Sequence, residues 1–223
     1  MRTEIGLKHD LKVIKPEEIH HLLEPGELGV VLELTVTDPK TGKVTEHRVI
    51  PSKSFVQQFL QLLFAKMICN ISLSTVSIRD TSNILRNVYL FRPLGVTLHS
   101  LACNAGAGIV TNGIIVGTDN TAPIITHYAL LAPIAHGVAG GQMQYSAMTF
   151  GAPGADATTS QVTLTRNFTA NVGGITVNEI GLYVIGYDGA DRYFMTIRDA
   201  NFGGIVVPAG QTLTVNYREQ AVI

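Results

Sequence analysis

Arg166 and Glu179 are under the most physical tension in this chain, because each shares a strand face with apolar neighbours. Val162, Leu164 and Phe168 recur at alternate positions, and the same parity places Arg166 among them. Ile175, Val177, Glu179, Gly181, Tyr183 and Ile185 form a second series of that kind. Between them Ile180, Leu182 and Val184 are apolar too, so this strand is expected to be covered on both faces. A lone charge buried there would cost several kcal/mol. The chemistry implied is an ion pair, Glu179 with Arg166 or with Arg198, fixing strand register. In the other arrangement each charge sits at a strand end or bulge and meets water.

Groups for bond-making chemistry are sparse and scattered. No two of His9, His20, His21, His47, His99, His127 and His136 have the spacing that sets two imidazoles on one helical face. Gly106-Ala107-Gly108 precedes a candidate strand, whereas phosphate-cradling loops follow a strand and open a helix. There is no G-x-S-x-G elbow, and nothing near Cys69 or Cys103 would lower a thiol pKa. Both thiols are expected reduced, in keeping with synthesis in a cytosol. The expectation is a protein without catalytic residues, metal or cofactor, and not an enzyme. If a binding role exists, the connection from Thr118 to Gly141 would carry it through His127, Tyr128 and His136, as a receptor- or carbohydrate-recognising tip. Against a sugar site, aromatic content is only 7% and Trp is absent.

The elements that must position these residues are mostly strands. Leu28 to Thr37 alternates, with Leu32, Leu34 and Val36 on one side. The turn Asp38-Pro39-Lys40-Thr41-Gly42 then leads back into Lys43 to Ile50, which reads as a hairpin. Ser54-Phe55-Val56-Gln57 matches a capping box, so the one convincing helix is expected to start at Ser54. Apolar residues cover most of its circumference, with Phe55, Phe59, Leu63 and Met67 offered as an assembly face. Such a helix must be plugged under a sheet or packed between subunits. Later strands are separated by turns such as Gly151–Gly154, Val172-Gly173-Gly174, Asp188-Gly189, Gly203-Gly204 and Pro208–Gly210. The fold class is therefore mainly β: a β-sandwich or jelly-roll-like body with one buried amphipathic helix, an N-terminal arm and a β-hairpin. The expected organisation is 1–53 for arm and hairpin, 54–72 for the helix and 73–223 for the body.

Charge is distributed unevenly along these 223 residues. About half of the charged side chains fall in the first quarter, and from Pro93 to Thr165 the only formal charges are Asp119 and Asp156. Soluble monomers spread charge over their surface. A neutral body points instead to flanks covered by sister copies, and so to a homo-oligomer. Net charge is −1, which leaves no basic excess to neutralise phosphates, and no nucleic-acid partner is expected. The N-terminus has no apolar core of a signal peptide, and the uncharged centre is broken by Gly, Pro, Asn and His. No membrane partner is expected.

Thr176-Val177-Asn178-Glu179-Ile180-Gly181-Leu182-Tyr183 resembles a strand carried by tail-associated β domains of tailed-bacteriophage structural proteins. Phe194-Met195-Thr196-Ile197-Arg198-Asp199 and Pro208-Ala209-Gly210-Gln211-Thr212-Leu213-Thr214-Val215-Asn216-Tyr217 are similar to the two strands that follow it there. Gly113–Thr118, Tyr128-Ala129-Leu130 and Ser54-Phe55-Val56 extend the resemblance over about two thirds of the chain. It implies a virion structural protein, made in the host cytoplasm, that assembles with itself and with other virion proteins. A tail component (tube, adaptor or fibre base) is the first expectation, and a capsid shell or decoration protein the alternative. These motifs are packing patterns, so the resemblance carries over no catalytic residues.

Overall fold

The computed structural model describes residue 23 and residues 28–52, 55–67, 77–88 and 101–223. The expected arm (all but Leu23), the Ser54 cap, the helix beyond Met67 and the start of the strand at Thr75 lie outside the described residues. The chain is mainly β. In order, its elements are β1 (Leu28–Thr37), β2 (Val44–Ser52), α1 (Gln57–Met67), β3 (Ser77–Arg79), β4 (Leu85–Asn87), β5 (Gly113–Gly117), β6 (Gln144–Tyr145), β7 (Thr149–Phe150), β8 (Gly154–Ala155), β9 (Thr159–Thr169), β10 (Ile175–Tyr187), β11 (Asp191–Val207) and β12 (Thr212–Val222). A seven-stranded antiparallel sheet runs β2-β1-β12-β9-β6, with β7 and β8 also pairing β9. A three-stranded sheet runs β11-β10-β5, and β3 with β4 makes a small hairpin.

The hairpin forms for the reasons legible in its residues. Val30, Leu32, Leu34 and Val36 are fully buried on one side of β1. At the turn the Asp38 side chain accepts the Lys40 N–H at 2.9 Å, and Gly42 adopts φ 68°. The hairpin is not, however, a unit set apart with an arm. β1 pairs with β12 over ten residues, from Leu28↔Ala221 to Thr37↔Thr212, and its apolar side belongs to the main core. Residues 28–52 are two strands of the large sheet. Its outward charges are used there too. Glu33 accepts from His47 Nε2 at 3.0 Å, Asn216 Nδ2 at 3.0 Å and Arg218 Nη2 at 2.5 Å.

The helix starts later than its capping pattern predicts. Phe55 bridges Ile197 on the edge of β11, the Val56 N–H donates to the Thr196 carbonyl, and helical structure begins at Gln57. The edge of β11 needs partners, and two residues of the expected first turn supply them. The Gln57 N–H, free of any helical acceptor at that position, donates to the Ile125 carbonyl at 2.9 Å. Leu62 and Ala65 then pack against Ile78, Val88, Val184 and Phe194. The opposite side is open. Leu60 is 63% exposed, Leu63 40% and Phe64 54%, so the described residues do not cover α1 all round.

Gln58 lies on the buried side of α1 with no exposure, and among the described residues neither its Nε2 nor its Oε1 has a hydrogen-bond partner. An unmet buried amide costs about 1–3 kcal/mol. Gln58→Leu is accordingly expected to raise stability by about 1–2 kcal/mol, measured by urea denaturation of both proteins. A lower midpoint for the variant would show that Gln58 is satisfied in solution.

Gly203-Gly204 reads as a break between two strands, yet β11 runs through it. Pairing with β10 jumps from Glu179↔Ala200 to Val177↔Ile205, so Asn201 to Gly204 bulge outward and the strand resumes. Asn201, Gly203 and Gly204 all take positive φ, at 59°, 84° and 62°, which is the conformation such a bulge requires.

Candidate functional site

The polar residues with the most demanding environments converge on the two faces of the three-stranded sheet. One face packs on the large sheet, and the other lies beneath the connection from Thr118 to Ile134. β10 carries alternate residues to the two sides, and both are buried: Glu179 and Ile180 each have no exposure. That coverage matches the two apolar parities of the sequence.

Glu179 pairs with Arg198, not with Arg166. Arg198 stands directly opposite Gly181 and reaches diagonally to Glu179, where Nε and Nη2 donate to Oε2 at 3.0 and 2.7 Å. The carboxylate has a second task. The Leu131 N–H donates to Oε2 at 3.1 Å and the Ala132 N–H to Oε1 at 2.7 Å. Four residues along the same side of β10, the Tyr183 hydroxyl accepts the Leu130 N–H at 2.7 Å. Three successive amides of the connection are thus held by two side chains of one strand. Burial keeps the Tyr183 phenol protonated by raising its pKa well above the usual value, so its own hydrogen stays in place.

Two glycines make the approach possible. A Cβ on Gly117, which pairs with Glu179 across β5, would lie 2.5 Å from Glu179 Oε1 and 2.7 Å from the Ala132 carbonyl oxygen. One on Gly181 would meet the Leu130 side chain at 3.1 Å and the Ile197 carbonyl at 3.3 Å.

Arg198 extends the clamp to the first half of the connection. Its Nη1 donates to the Thr121 carbonyl at 2.9 Å and to His127 Nδ1 at 3.2 Å, and Nη2 lies 3.4 Å from Asp119 Oδ1. His127 Nδ1 also accepts the Ile124 N–H at 3.2 Å, so this nitrogen carries no proton. Burial first, and then the Arg198 charge, hold the His127 pKa below its ordinary 6.5, against the pull of Glu179 and Asp119. A group with a lowered folded pKa contributes stability above its unfolded value and loses it as pH falls through the folded one. The melting temperature is therefore expected to fall below pH 6.5 by more in the natural protein than in His127→Asn, whose side-chain oxygen accepts without titrating. The ring is only half-buried and water still reaches it, so the difference is small, less than about 1 kcal/mol. Parallel melting curves from pH 8 to pH 5 would remove His127 from the pH response.

Asp199, next to Arg198, faces the other way. Its Oδ2 accepts the Ser52 hydroxyl and the Tyr217 hydroxyl, each at 2.9 Å, and so ties β2 and β12 of the large sheet to β11 of the small one. The Arg-Asp pair of the sequence sends one charge to each side of the sheet.

Arg166 forms a separate centre on the core side of β9. Its five N–H groups meet five backbone carbonyls: Ser146 at 2.9 Å, Asn112 at 3.3 Å, Ile114 at 2.9 Å, Gly106 at 3.2 Å and Ile109 at 2.6 Å. The Tyr145 ring centroid lies 4.9 Å from the guanidinium carbon. Burial lowers the guanidinium pKa to about 10, which leaves it charged at neutral pH. The Gly106 loop presents a carbonyl to a cation here, the opposite polarity from a phosphate cradle.

The remaining candidates are dispersed. Phe55 and Phe59 stack at 4.2 Å between centroids, Leu63 is on the open side of α1, and the side chain of Met67 lies outside the described residues. His136 Nδ1 accepts the Tyr145 N–H at 3.1 Å, and Tyr128 is half-buried. Both candidate imidazoles thus use Nδ1 inside the fold. Ser52, Asp119, Tyr145 and Gly117 were not singled out from sequence. For Gly117 a signal existed, since a Gly ends an otherwise β-branched run. Among the described residues no cluster of His, Cys, Asp and Glu is arranged to hold a metal, and no helix is long and apolar enough to cross a membrane.

These features define a mainly β protein whose buried charges hold long connections against a small sheet. No protein-family model matches the chain, and comparison with curated proteins and with solved structures finds no match.

Proposed function

We propose that the chain is a non-enzymatic structural subunit of a tailed-bacteriophage virion, a tail component (tube, adaptor or fibre base) that assembles with copies of itself and with other virion proteins. The observation that carries this reading is the open apolar side of α1. Leu60 and Phe64 are more than half exposed, and so is Ile125, whose carbonyl receives the Gln57 N–H at the head of the helix. Each such side chain gains about 1.5–3 kcal/mol when a partner buries it. The segment that meets the head of the helix contains one formal charge between Leu101 and Gly151, Asp119, so the natural cover is a surface equally neutral, such as that of a sister copy. The placement in the tail rests on the strand motifs, whose Glu179, Gly181, Tyr183, Arg198 and Asp199 all hold connections or sheets in place. A rigid connection suits a subunit that must present the same edge to every neighbour.

Electron microscopy and light scattering of the purified chain test this. Rings, tubes or other closed assemblies are expected. Leu60→Glu with Phe64→Glu is expected to yield monomers that keep the far-ultraviolet circular dichroism of the natural chain, because neither side chain is in the core, with a melting temperature lower only by what assembly contributes. A natural chain that stays monomeric at high concentration would overturn the proposal.

A further inference from the structure

Among the described residues Glu219 has no counterpart to its charge. It stands on the same side of β12 as the core residues Leu213, Val215 and Tyr217, opposite Val30 and Val162 of the adjoining strands. The other carboxylates that β1, β2, β10 and β11 bury or half-bury, Glu33, Glu46, Glu179 and Asp199, each accept from an Arg, a His or a hydroxyl. Among the described residues Glu219 accepts from none, and it borders a cavity of about 200 Å³. The floor of that cavity is apolar, from Phe59 and Leu62 of α1, Leu164 of β9, and Leu182 and Val184 of β10. Two other polar groups reach it. The Thr196 hydroxyl donates to the Leu182 carbonyl, which uses its hydrogen. Burial and the nearby Glu219 charge push the Cys103 thiol up to about 11, so it neither neutralises a carboxylate nor competes for a cation at neutral pH.

We propose that this cavity binds a small primary alkylammonium group, its apolar stem on the floor formed by α1, β9 and β10 and its ammonium against the Glu219 carboxylate. The volume suits such a ligand. A cavity of about 150 Å³ takes benzene, so this one has room for roughly seven or eight heavy atoms, the size of hexylamine. Glu219 is half-buried, so the ammonium keeps some water while the stem leaves it. Burial raises the Glu219 pKa above its ordinary 4.5. In the ligand-free fold that carboxylate is therefore mostly neutral below the raised value and mostly charged above it. Ammonium affinity is expected to rise as pH climbs through the raised value.

Calorimetric titration of the full chain with hexylammonium, hexanol and hexanoate at neutral pH tests the site. Saturable one-to-one binding of hexylammonium is expected, with hexanol at least about tenfold weaker and hexanoate undetected. Glu219→Gln removes the charge but no existing hydrogen bond, so it is expected to fold at least as stably and to lose at least about tenfold in affinity. Saturating hexylammonium is also expected to slow alkylation of Cys103 by iodoacetamide, read on its peptide by mass spectrometry. A free amine and a lysine of a neighbouring chain offer the same group. Nα-acetyl-lysine N-methylamide binding as well as hexylammonium identifies the lysine, and its failure to bind identifies the free amine. Equal binding of hexanol, undiminished binding by the Gln variant, no saturable heat, or an unchanged Cys103 rate would each overturn the proposal.

Discussion

Glu179→Gln is expected to lower stability by about 3–5 kcal/mol, the usual cost of breaking a buried pair from one side. For a chain of 223 residues that corresponds to a melting temperature lower by about 6–20 °C. The two side chains are nearly isosteric, so packing does not account for the loss. Every partner of the carboxylate is a donor: Arg198 Nε and Nη2 on one oxygen with the Leu131 N–H, and the Ala132 N–H on the other. A carboxamide must turn its NH₂ toward one of these sets, donor against donor, and Arg198 keeps a charge that the site no longer balances. The damage should be local as well as global. Exchange of the amides at Leu131 and Ala132 is expected to accelerate, and assembly yield to fall with the connection loosened. Arg198→Met in the Gln background should cost less than the two single changes added together, because the second substitution removes a charge the first left unpaired. An unchanged melting temperature for Glu179→Gln would mean that this pair is hydrated in solution and holds nothing.

The sequence shows that Arg166 and Glu179 face inward, because parity along a strand fixes the side from which a residue projects. It does not show what they meet. Glu179 has the choice of two arginines on paper, and the diagonal across Gly181 decides for Arg198, a matter of register that no single strand reveals. The partners of Arg166 are carbonyls of residues 106–114 and of Ser146, and a carbonyl is common to every residue type, so its presence leaves no mark on composition. The hairpin was legible because turn chemistry and alternation agree there, while its place inside the large sheet came from pairing with β12, nearly the whole chain away. The helix boundary moved for a similar reason. Ser54 and Gln57 satisfy a local rule, but the exposed edge of β11 takes Phe55 and Val56 first. Local signals predicted the elements well. Long-range contacts decided which of them share a boundary.

Arg166→Met is expected to be the most damaging single substitution on the core side of the large sheet, costing more than about 4 kcal/mol and leaving part of the protein unfolded at 37 °C. The fork of a guanidinium has five N–H groups, and here each meets a different carbonyl. Removing it uncovers acceptors on both sides of the Gly106 to Ile114 segment, each of which then lacks a donor. Methionine fills much of the volume beside Tyr145 and Phe168, so a large loss would come from the carbonyls and not from a cavity. Arg166→Lys separates charge from geometry. An ammonium preserves the charge and some attraction to the Tyr145 ring, but it offers three donors from one point and cannot span carbonyls drawn from Gly106, Asn112 and Ser146 at once. If lysine restores less than half of what methionine loses, measured by urea denaturation, the fork is what holds the segment. If lysine restores nearly all of it, the positive charge alone suffices, and the segment owes its shape to its own turns.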